Sequence, residues 1–426
     1  MATQRWATRS LSLVGRRMQS TASRMAPGQS FAPQAAPLVR MRSAAILSQT
    51  VQLTWEDETI AHFHHTWLRD HCPQSVHPVS HQREIALSSI RPGIVPSGVS
   101  VDDGQSLLVK WHASVDPTGA DHQSVFDGEW LRRHAYSSEG SARVVDEEDA
   151  LVVQWGAGGR ALPEPIDWAS LACGGSDAES ALLQLLSSVH AYGVGRVSGM
   201  PLTMEATEQL ARMIAPVHET FYGGMWDTAP REESQVIDTA YTNVELPLHT
   251  DGTYFEQQPG LQLFNCVAQP PPAGGLDGST RLADGFALAA KLAAEAPKTF
   301  EFFSRVVLPF EHREGAVHMR CLGQVFKLHP LTRKVVEVRW NETDRGPINT
   351  LSFDDMGQFY DHVRKLQAAI DSLELKLQLK PGDALICNNH RVMHGRRGFV
   401  GHRRLLGCYL QADDWRSRWR VLRGRQ

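Results

Sequence analysis

What the 426-residue sequence lacks narrows its class before any motif is considered. No uninterrupted apolar run approaches the roughly 18–20 residues that a bilayer-spanning helix needs, so no membrane span is expected. Six cysteines (Cys72, Cys173, Cys266, Cys321, Cys387 and Cys408) lie far apart, with no CxxC pair and no disulfide-rich spacing. They read as reduced thiols in an intracellular compartment. GxGxxG and phosphate-loop motifs are missing, which leaves nucleotide binding unsupported, and so is the HExxH of zinc peptidases. A net charge of -4 gives no footprint for nucleic acid. One absence is local: no Asp or Glu precedes Glu56, while seven arginines and many Ser and Thr fill residues 1–55. "RWATRSLSLVGRRMQSTASRM" brings Trp6, Leu11, Leu13 and Val14 near Arg9, Arg16 and Arg17 on an amphipathic helix, the profile of a mitochondrial transit peptide. A disordered basic tail is the alternative. Either reading sets residues 1–45 apart from the fold, and the first implies a mitochondrial, matrix location.

The remainder has an ordinary globular composition, 42% hydrophobic and 21% charged. Residues 46–150 read as a small β-rich N-terminal domain, with strands in "TVQLTW", "TIAHFHHTWL" and "SLLVKWHA" and one helix at "SVFDGEWLRRHA". Residues 151–165 resemble a linker. In 166–426, Ser176 and Glu179 stand at capping-box spacing before a helix that closes on Gly193. Further helices are expected near 205–215, 284–296 (after Asp284) and 355–373. Short strands punctuated by Gly and Pro dominate the rest, and no repeat period is visible. The pattern predicts a mainly β fold with flanking helices, a sandwich or jelly-roll barrel rather than a parallel doubly wound sheet.

Within "PLHTDGTYF", His249 and Asp251 share one face if the segment is a strand, since i and i+2 point the same way. Burying an imidazole and a carboxylate is costly unless something pairs them, and a metal ion does so. A third ligand is available in "CNNHRVMHGRRGFVGHRR". There His394 ends a strand expected to begin at Asp383, with His390 as a supporting or packing residue. Two His and one Asp, one ligand remote in sequence, is the facial triad of non-haem Fe(II) oxygenases. Arg403 and Arg404 follow His394 by nine and ten residues at the head of "RRLLGCYL". A guanidinium facing inward there matches a carboxylate bidentately, as 2-oxoglutarate would require. Periodicity does not say which of the two faces in. A zinc hydrolase using the same ligands is the rival chemistry, but it leaves that arginine idle. Upstream, Tyr222, Trp226 and Tyr241 suit either core packing or a cage for a quaternary ammonium. Asp238 suits a turn or a counter-charge.

"FYGGMWDT", "DTAYTNVELPLHTDGTYFEQQPGLQLFNC", "GGLDGSTRLADGF", "RWNETDRGPINT" and "LKPGDALICNNHRVMHGRRGFVGHRRLLGCYLQADDW" together resemble the gamma-butyrobetaine/trimethyllysine dioxygenases of carnitine biosynthesis. "HHTWLRDHCPQSVHPVSHQRE" is similar to that family's small N-terminal domain, so the resemblance spans about residues 50 to 420. "DTAYT", "HTDGTYF", "NETDR" and "HGRRGFVGHRRLLGCYL" are closer to the trimethyllysine branch. The resemblance implies a double-stranded β-helix that holds Fe(II) by His249, Asp251 and His394. It implies 2-oxoglutarate on Arg403 and Thr280, oxygen as co-substrate, and ascorbate supporting activity. It also implies a trimethylammonium cage of Tyr222, Trp226 and Tyr241, with Asp238 and Asn341 at the amino-acid end of trimethyllysine. A homodimer is left open. The family's N-terminal domain often carries a structural zinc; here Cys72, His77 and His122 supply only three ligands, which weakens that expectation. Gamma-butyrobetaine dioxygenase is the alternative function, and a non-catalytic quaternary-amine-binding β-barrel the non-enzyme one.

Overall fold

Strict alternation builds the first strands. In "TVQLTW" every second side chain, Val51, Leu53 and Trp55, is buried, and "SLLVKW" does the same with Leu107, Val109 and Trp111. The computed structural model describes residues 39–136, 148–156, 162–229, 242–271, 274 and 276–424, and divides into Met1–Ser137 and Ser138–Gln426. Asp238, Tyr241 and residues 1–38 of the expected leader lie outside the described residues.

The first unit holds two antiparallel three-stranded sheets. One orders β1 (Met41–Ile46), β2 (Thr50–Trp55) and β3 (Ile60–His64); the other orders β4 (Gly98–Asp102), β5 (Ser106–Trp111) and β6 (His122–Asp127). Their inward rows meet in a core with Phe63, Leu68, Phe126 and Leu131. Three expectations are corrected here. β1 begins inside the segment set apart as leader, because Met41 is buried in this core. "TIAHFHHTWL" leaves the strand at His65 for the helix His65–Asp70. "SVFDGEWLRRHA" is strand as far as Asp127, whose carboxylate caps the helix Gly128–Arg133 by accepting from Trp130 N. The three possible zinc ligands are not gathered either. Cys72 Sγ lies 3.1 Å from His122 Nε2 and near Gln74 Oε1, which also accepts from Val125 N. His77 Nδ1 instead accepts from the backbone N–H groups of Val79 and Ser80.

The second unit is built on two sheets. Its strands are β7 (Ile166–Asp167), β8 (Val194–Ser198), β9 (Val217–His218), β10 (Met225–Asp227), β11 (Leu246–His249), β12 (Leu261–Ala268) and β13 (Thr280–Asp284). Two hairpins follow: β14 (Leu308–Glu314) with β15 (Val317–Gly323), and β16 (Phe326–Leu328) with β17 (Val335–Val338). The last strands are β18 (Leu375–Leu377), β19 (Ala384–Asn388), β20 (Val392–Arg396) and β21 (Arg404–Leu410). The larger sheet runs β10-β21-β12-β19-β8-β7, with β9 also on β21; the smaller runs β11-β20-β13-β18. Only β7 and β8 pair in parallel among the described strands.

Side-chain parity sorts the layers. On the larger sheet Leu261, Leu263, Ile386, Cys408 and Leu410 pack outward on the helix Gly175–Tyr192 and the C-terminal helix Ala412–Arg423. On the smaller sheet Leu248, Ala283 and Met393 pack outward on the helices Gly285–Glu295, Pro297–Arg305 and Phe353–Leu373. The opposite parity fills the space between the sheets with Cys266, Leu282, Leu385, Cys387, Val392 and Leu405. The helices expected after Asp284 and near 355–373 are present, and Asp284 caps the first by accepting from Phe286 N. The helix closing on Gly193 does so with φ 73°, but its N-cap is Gly174, so Ser176 lies inside the first turn instead of capping it. The strand expected to run from Asp383 to His394 is two strands in different sheets, joined across residues 389–391.

At that crossing Arg391, fully buried, donates to both carboxylate oxygens of Asp284 at 2.9 and 2.8 Å. It also donates to the carbonyls of Ala191 at 2.8 Å and Val153 at 2.6 Å. Removing one member of a buried ion pair leaves the other uncompensated. Asp284→Ala is therefore expected to cost about 3–5 kcal/mol, read as a lowered urea-unfolding midpoint.

Candidate active site

His249 ends β11 and sits directly opposite His394 of β20 in the antiparallel register. Their ring centroids are 4.6 Å apart. Asp251 is not in the strand, as parity had suggested, but two residues past its end. There its Oδ1 stands 3.1 Å from His249 Nε2 and 3.6 Å from His394 Nε2. One donor atom from each of the three lies within 4.8 Å of the others, and no second such group occurs among the described residues. Several contacts fix the turn. Asn389 accepts from Asp251 N at 2.8 Å and donates to its carbonyl at 3.0 Å. Gly252 has φ 63°, and a Cβ there would meet the Phe255 ring at 2.6 Å, so only glycine fits. Trp340 N donates to Thr250 Oγ1 at 3.0 Å.

The electrostatics of the three groups call for a cation. His249 Nδ1 faces the Pro247 carbonyl at 2.7 Å, a pure acceptor, so Nδ1 carries hydrogen. In the neutral ring Nε2 then presents a lone pair to the Asp251 carboxylate. Burial disfavours charge on His249, but Asp251 outweighs it and raises the pKa to about 9. Burial lowers His394 to about 4 against the pull of Asp251. Burial works against the charged form of Asp251 too, yet the two imidazoles and Tyr409 hold its carboxyl far below the usual range. Tyr409, pushed well above its ordinary value by burial, keeps its proton and donates it to Asp251 Oδ2 at 2.8 Å. Oδ1 is left facing the imidazoles. Two nitrogens and one carboxylate oxygen on one side of a cavity fit a divalent iron with positions open to small ligands.

The same cavity is lined by Tyr222, Trp226, Thr280, Asn341 and Arg403. Arg403 has the parity of Leu405 and Tyr409 and is 6% exposed. Its Nε donates to Gln269 Oε1 at 3.2 Å, burial lowers its pKa to about 10, and no carboxylate pairs with it among the described residues. Arg404 faces away and grips Asp227 through Nε at 3.0 Å and Nη2 at 2.6 Å. Gln269 also donates to the carbonyls of Asp277 and Gly278, which leads the chain into Thr280. Trp226 lies across from Gly407 in the register, where a Cβ would fall 2.2 Å from its ring. The Tyr222 hydroxyl is 2.9 Å from that of Tyr254. Asn341 lines the cavity while its Oδ1 accepts from Thr343 N and Oγ1. His390 is not a ligand; its Nε2 faces the Gln258 carbonyl at 3.1 Å.

A family model described as "Taurine catabolism dioxygenase TauD, TfdA family" matches residues 160–409, and one described as "Gamma-butyrobetaine hydroxylase-like, N-terminal" matches 44–132. The mitochondrial trimethyllysine dioxygenase of Rattus norvegicus is 33% identical over 394 residues, covering 88% of each chain. That of Homo sapiens is 33% identical over 374 residues, covering 85% of this chain and 83% of its own. The gamma-butyrobetaine dioxygenase of a Pseudomonas species is 28% identical over 395 residues, covering 91% and 97%. The chain belongs to the trimethyllysine/gamma-butyrobetaine dioxygenase family. As a member it is a dioxygenase dependent on iron and 2-oxoglutarate, and its donor set fits that metal. Sequence reasoning missed Tyr409, Tyr254 and Gln262 in this dioxygenase's cavity. For Tyr409 and Gln262 the signal available was a polar residue at inward parity in an otherwise apolar strand.

Two outcomes are expected. Tyr409→Phe removes the donor to Asp251 and should weaken Mn(II) binding about 10- to 100-fold in an anaerobic titration. In the metal-free protein the His249 proton, with a pKa of about 9, must leave before metal binds. Mn(II) affinity should therefore rise with pH up to about 9 and level off above it, with proton release measurable by calorimetry in two buffers.

Proposed function

We propose that this dioxygenase hydroxylates carbon 3 of free N6,N6,N6-trimethyllysine, the first step of carnitine biosynthesis, in the mitochondrial matrix. Trimethyllysine dioxygenases at 33% identity over most of both chains support this, as does the word "mitochondrial" in their names. The basic residues that precede the first strand act as the import signal. The two facing sheets of the second unit form a double-stranded β-helix, an arrangement consistent with the antiparallel orders described above.

His249, Asp251 and His394 hold Fe(II). Iron, when bound, supplies the activation of oxygen coupled to conversion of 2-oxoglutarate into succinate and carbon dioxide. The protein's residues supply position. Arg403, with Thr280 beside it, takes the distal carboxylate of 2-oxoglutarate; a planar fork meets a carboxylate with two parallel bonds. Tyr222 and Trp226, with Tyr241, surround the trimethylammonium group by cation–π attraction, and Asn341 and Asp238 address the amino-acid end. With the cationic head fixed, one C–H is presented to the metal face. Tyr409 keeps the second oxygen of Asp251 occupied, and Phe264, Leu282 and Leu405 keep the interior dry.

The observation that carries the reading is Arg403: a buried guanidinium that pairs with no carboxylate among the described residues, on the same cavity as the three donors. A zinc hydrolase would have no use for it, and a mere amine-binding barrel would have no use for the donors. The 28% identical gamma-butyrobetaine dioxygenase keeps that substrate as the second reading. Succinate release assayed with trimethyllysine, with gamma-butyrobetaine and with neither, each with and without Fe(II), separates all of these. Iron-dependent release stimulated chiefly by trimethyllysine is expected; chief stimulation by gamma-butyrobetaine, or iron-independence, overturns the reading. Trp226→Leu should raise the KM for trimethyllysine about tenfold or more while leaving metal affinity in place.

A further inference from the structure

We propose that Gln262 sets how strictly the site distinguishes a trimethylammonium from a dimethylammonium. Its buried side-chain oxygen stands beside the cationic head, accepts a hydrogen bond from a head that carries an N–H, and offers a fully methylated head only the pull of its dipole. This rests on the reading above that Tyr222 and Trp226 surround that head.

Strand register places Gln262 at the aromatic end of the cavity. On β12 it lies directly opposite Tyr409 of β21. The next inward residue of β12, Phe264, lies opposite Gly407, the residue that Trp226 covers, and its ring is 5.6 Å from that of Trp226. The Tyr409 ring is 6.4 Å from that of Trp226. Burial first, then Asp251, Tyr254 and Tyr222, raise the Tyr409 pKa, so Tyr222 and Tyr254 stand near the same ring. Arg403 precedes Tyr409 by six residues, beyond Gly407 and Leu405. The anion's end and Gln262 are therefore at opposite ends of the strand.

Gln262 lines the cavity, is 4% exposed, and its Oε1 has no hydrogen-bond partner among the described residues. Its lateral neighbours supply none. Tyr409 gives its proton to Asp251, and Cys387, opposite Gln262 on β19, has only a weak thiol donor. A buried acceptor left unpaired is destabilising, so one on a cavity wall points to a guest. An acceptor at the end remote from Arg403 suits a cation. A trimethylammonium has no N–H and meets the oxygen through its positively charged methyl groups, a weak contact. With one methyl removed, the head carries an N–H that a carbonyl oxygen accepts as a charge-assisted bond. The rings favour full methylation through contact and cation–π attraction, whereas Gln262 favours the head with the N–H. The two effects oppose each other, and Gln262 limits the selectivity that the rings alone would give.

The test follows iron-dependent succinate release and reads two constants: the KM for trimethyllysine and the inhibition constant of N6,N6-dimethyllysine as its competitor. Gln262→Met keeps the length of the side chain and removes the acceptor. It should raise the dimethyllysine constant about 10- to 100-fold, the strength of a hydrogen bond to a charged group, and the trimethyllysine KM by no more than about threefold. Mn(II) affinity and the KM for 2-oxoglutarate should stay at wild-type values, which a merely structural defect would not allow. A ratio of the two constants that is unchanged, or that moves towards dimethyllysine, overturns the proposal. Should Gln262→Met fail to fold, Gln262→Leu decides in the same terms. If Trp226→Leu leaves the trimethyllysine KM unmoved, the aromatic reading fails and this inference goes with it. A raised KM in Trp226→Leu with an unmoved ratio in Gln262→Met sinks this inference alone.

Discussion

The Asn389 carboxamide ties the second unit together. It is fully buried at the crossing between β19 and β20. Its oxygen accepts from Asp251 N, and its nitrogen donates to the carbonyls of Asp251 and Pro259, both at 3.0 Å. A carboxamide can meet the N–H and the C=O of a peptide at once, which neither a carboxylate nor an amine can do. The turn that presents Asp251 is thereby referenced to the crossing that starts the strand of His394, five residues on. Leaving any of these buried groups unpaired would cost about 1–3 kcal/mol each, so the geometry is imposed by the fold rather than by the metal. Two positions further along, Arg391 locks the same crossing to Asp284 and hence to a helix N-terminus.

From that fixed crossing, strand parity does the rest. Inward positions on β12, β13, β20 and β21 alternate with positions that pack on helices. Most inward side chains are apolar, but Gln262, Thr280, His394 and Tyr409 interrupt them and converge on one cavity. Each would destabilise an ordinary sandwich core. Their gathering in one place, with partners for some atoms and none for Gln262 Oε1 among the described residues, marks a region where stability has been given up for chemistry.

Much of this was legible in the residues. The three donors and the arginine pair were picked out from residue type and spacing, the aromatics of 222–226 were left open between core packing and a cage, and the helix after Asp284 was expected where it lies. The misreadings share a cause. Parity arguments need strand ends, and strand ends are set by contacts remote in sequence. β11 stops at His249 because Asn389, 138 residues away, claims the Asp251 peptide. The strand from Asp383 breaks because its two halves pair with different sheets. Periodicity alone left Arg403 and Arg404 unseparated, and only the family resemblance chose Arg403; the physical reason is that Leu405 faces inward while Asp227 of β10 holds Arg404. Ser176 matched a capping box by spacing, yet Gly174, at φ 75°, starts the helix first.

The charges in the cavity also imply an order of events. Arg403 stays cationic at neutral pH even with its pKa lowered to about 10, so without a co-substrate the cavity holds a buried guanidinium with no carboxylate against it among the described residues. Placing a second cation, the substrate's trimethylammonium, in the same low-dielectric space is then unfavourable. A dicarboxylate against Arg403 removes that penalty and adds the hydrogen bonds the guanidinium lacks. Binding of the anion should thus precede and strengthen binding of the cation, and the coupling must be reciprocal because both are equilibrium affinities. The same unpaired charge that lowers the stability of the empty site makes the order of loading a consequence of its electrostatics.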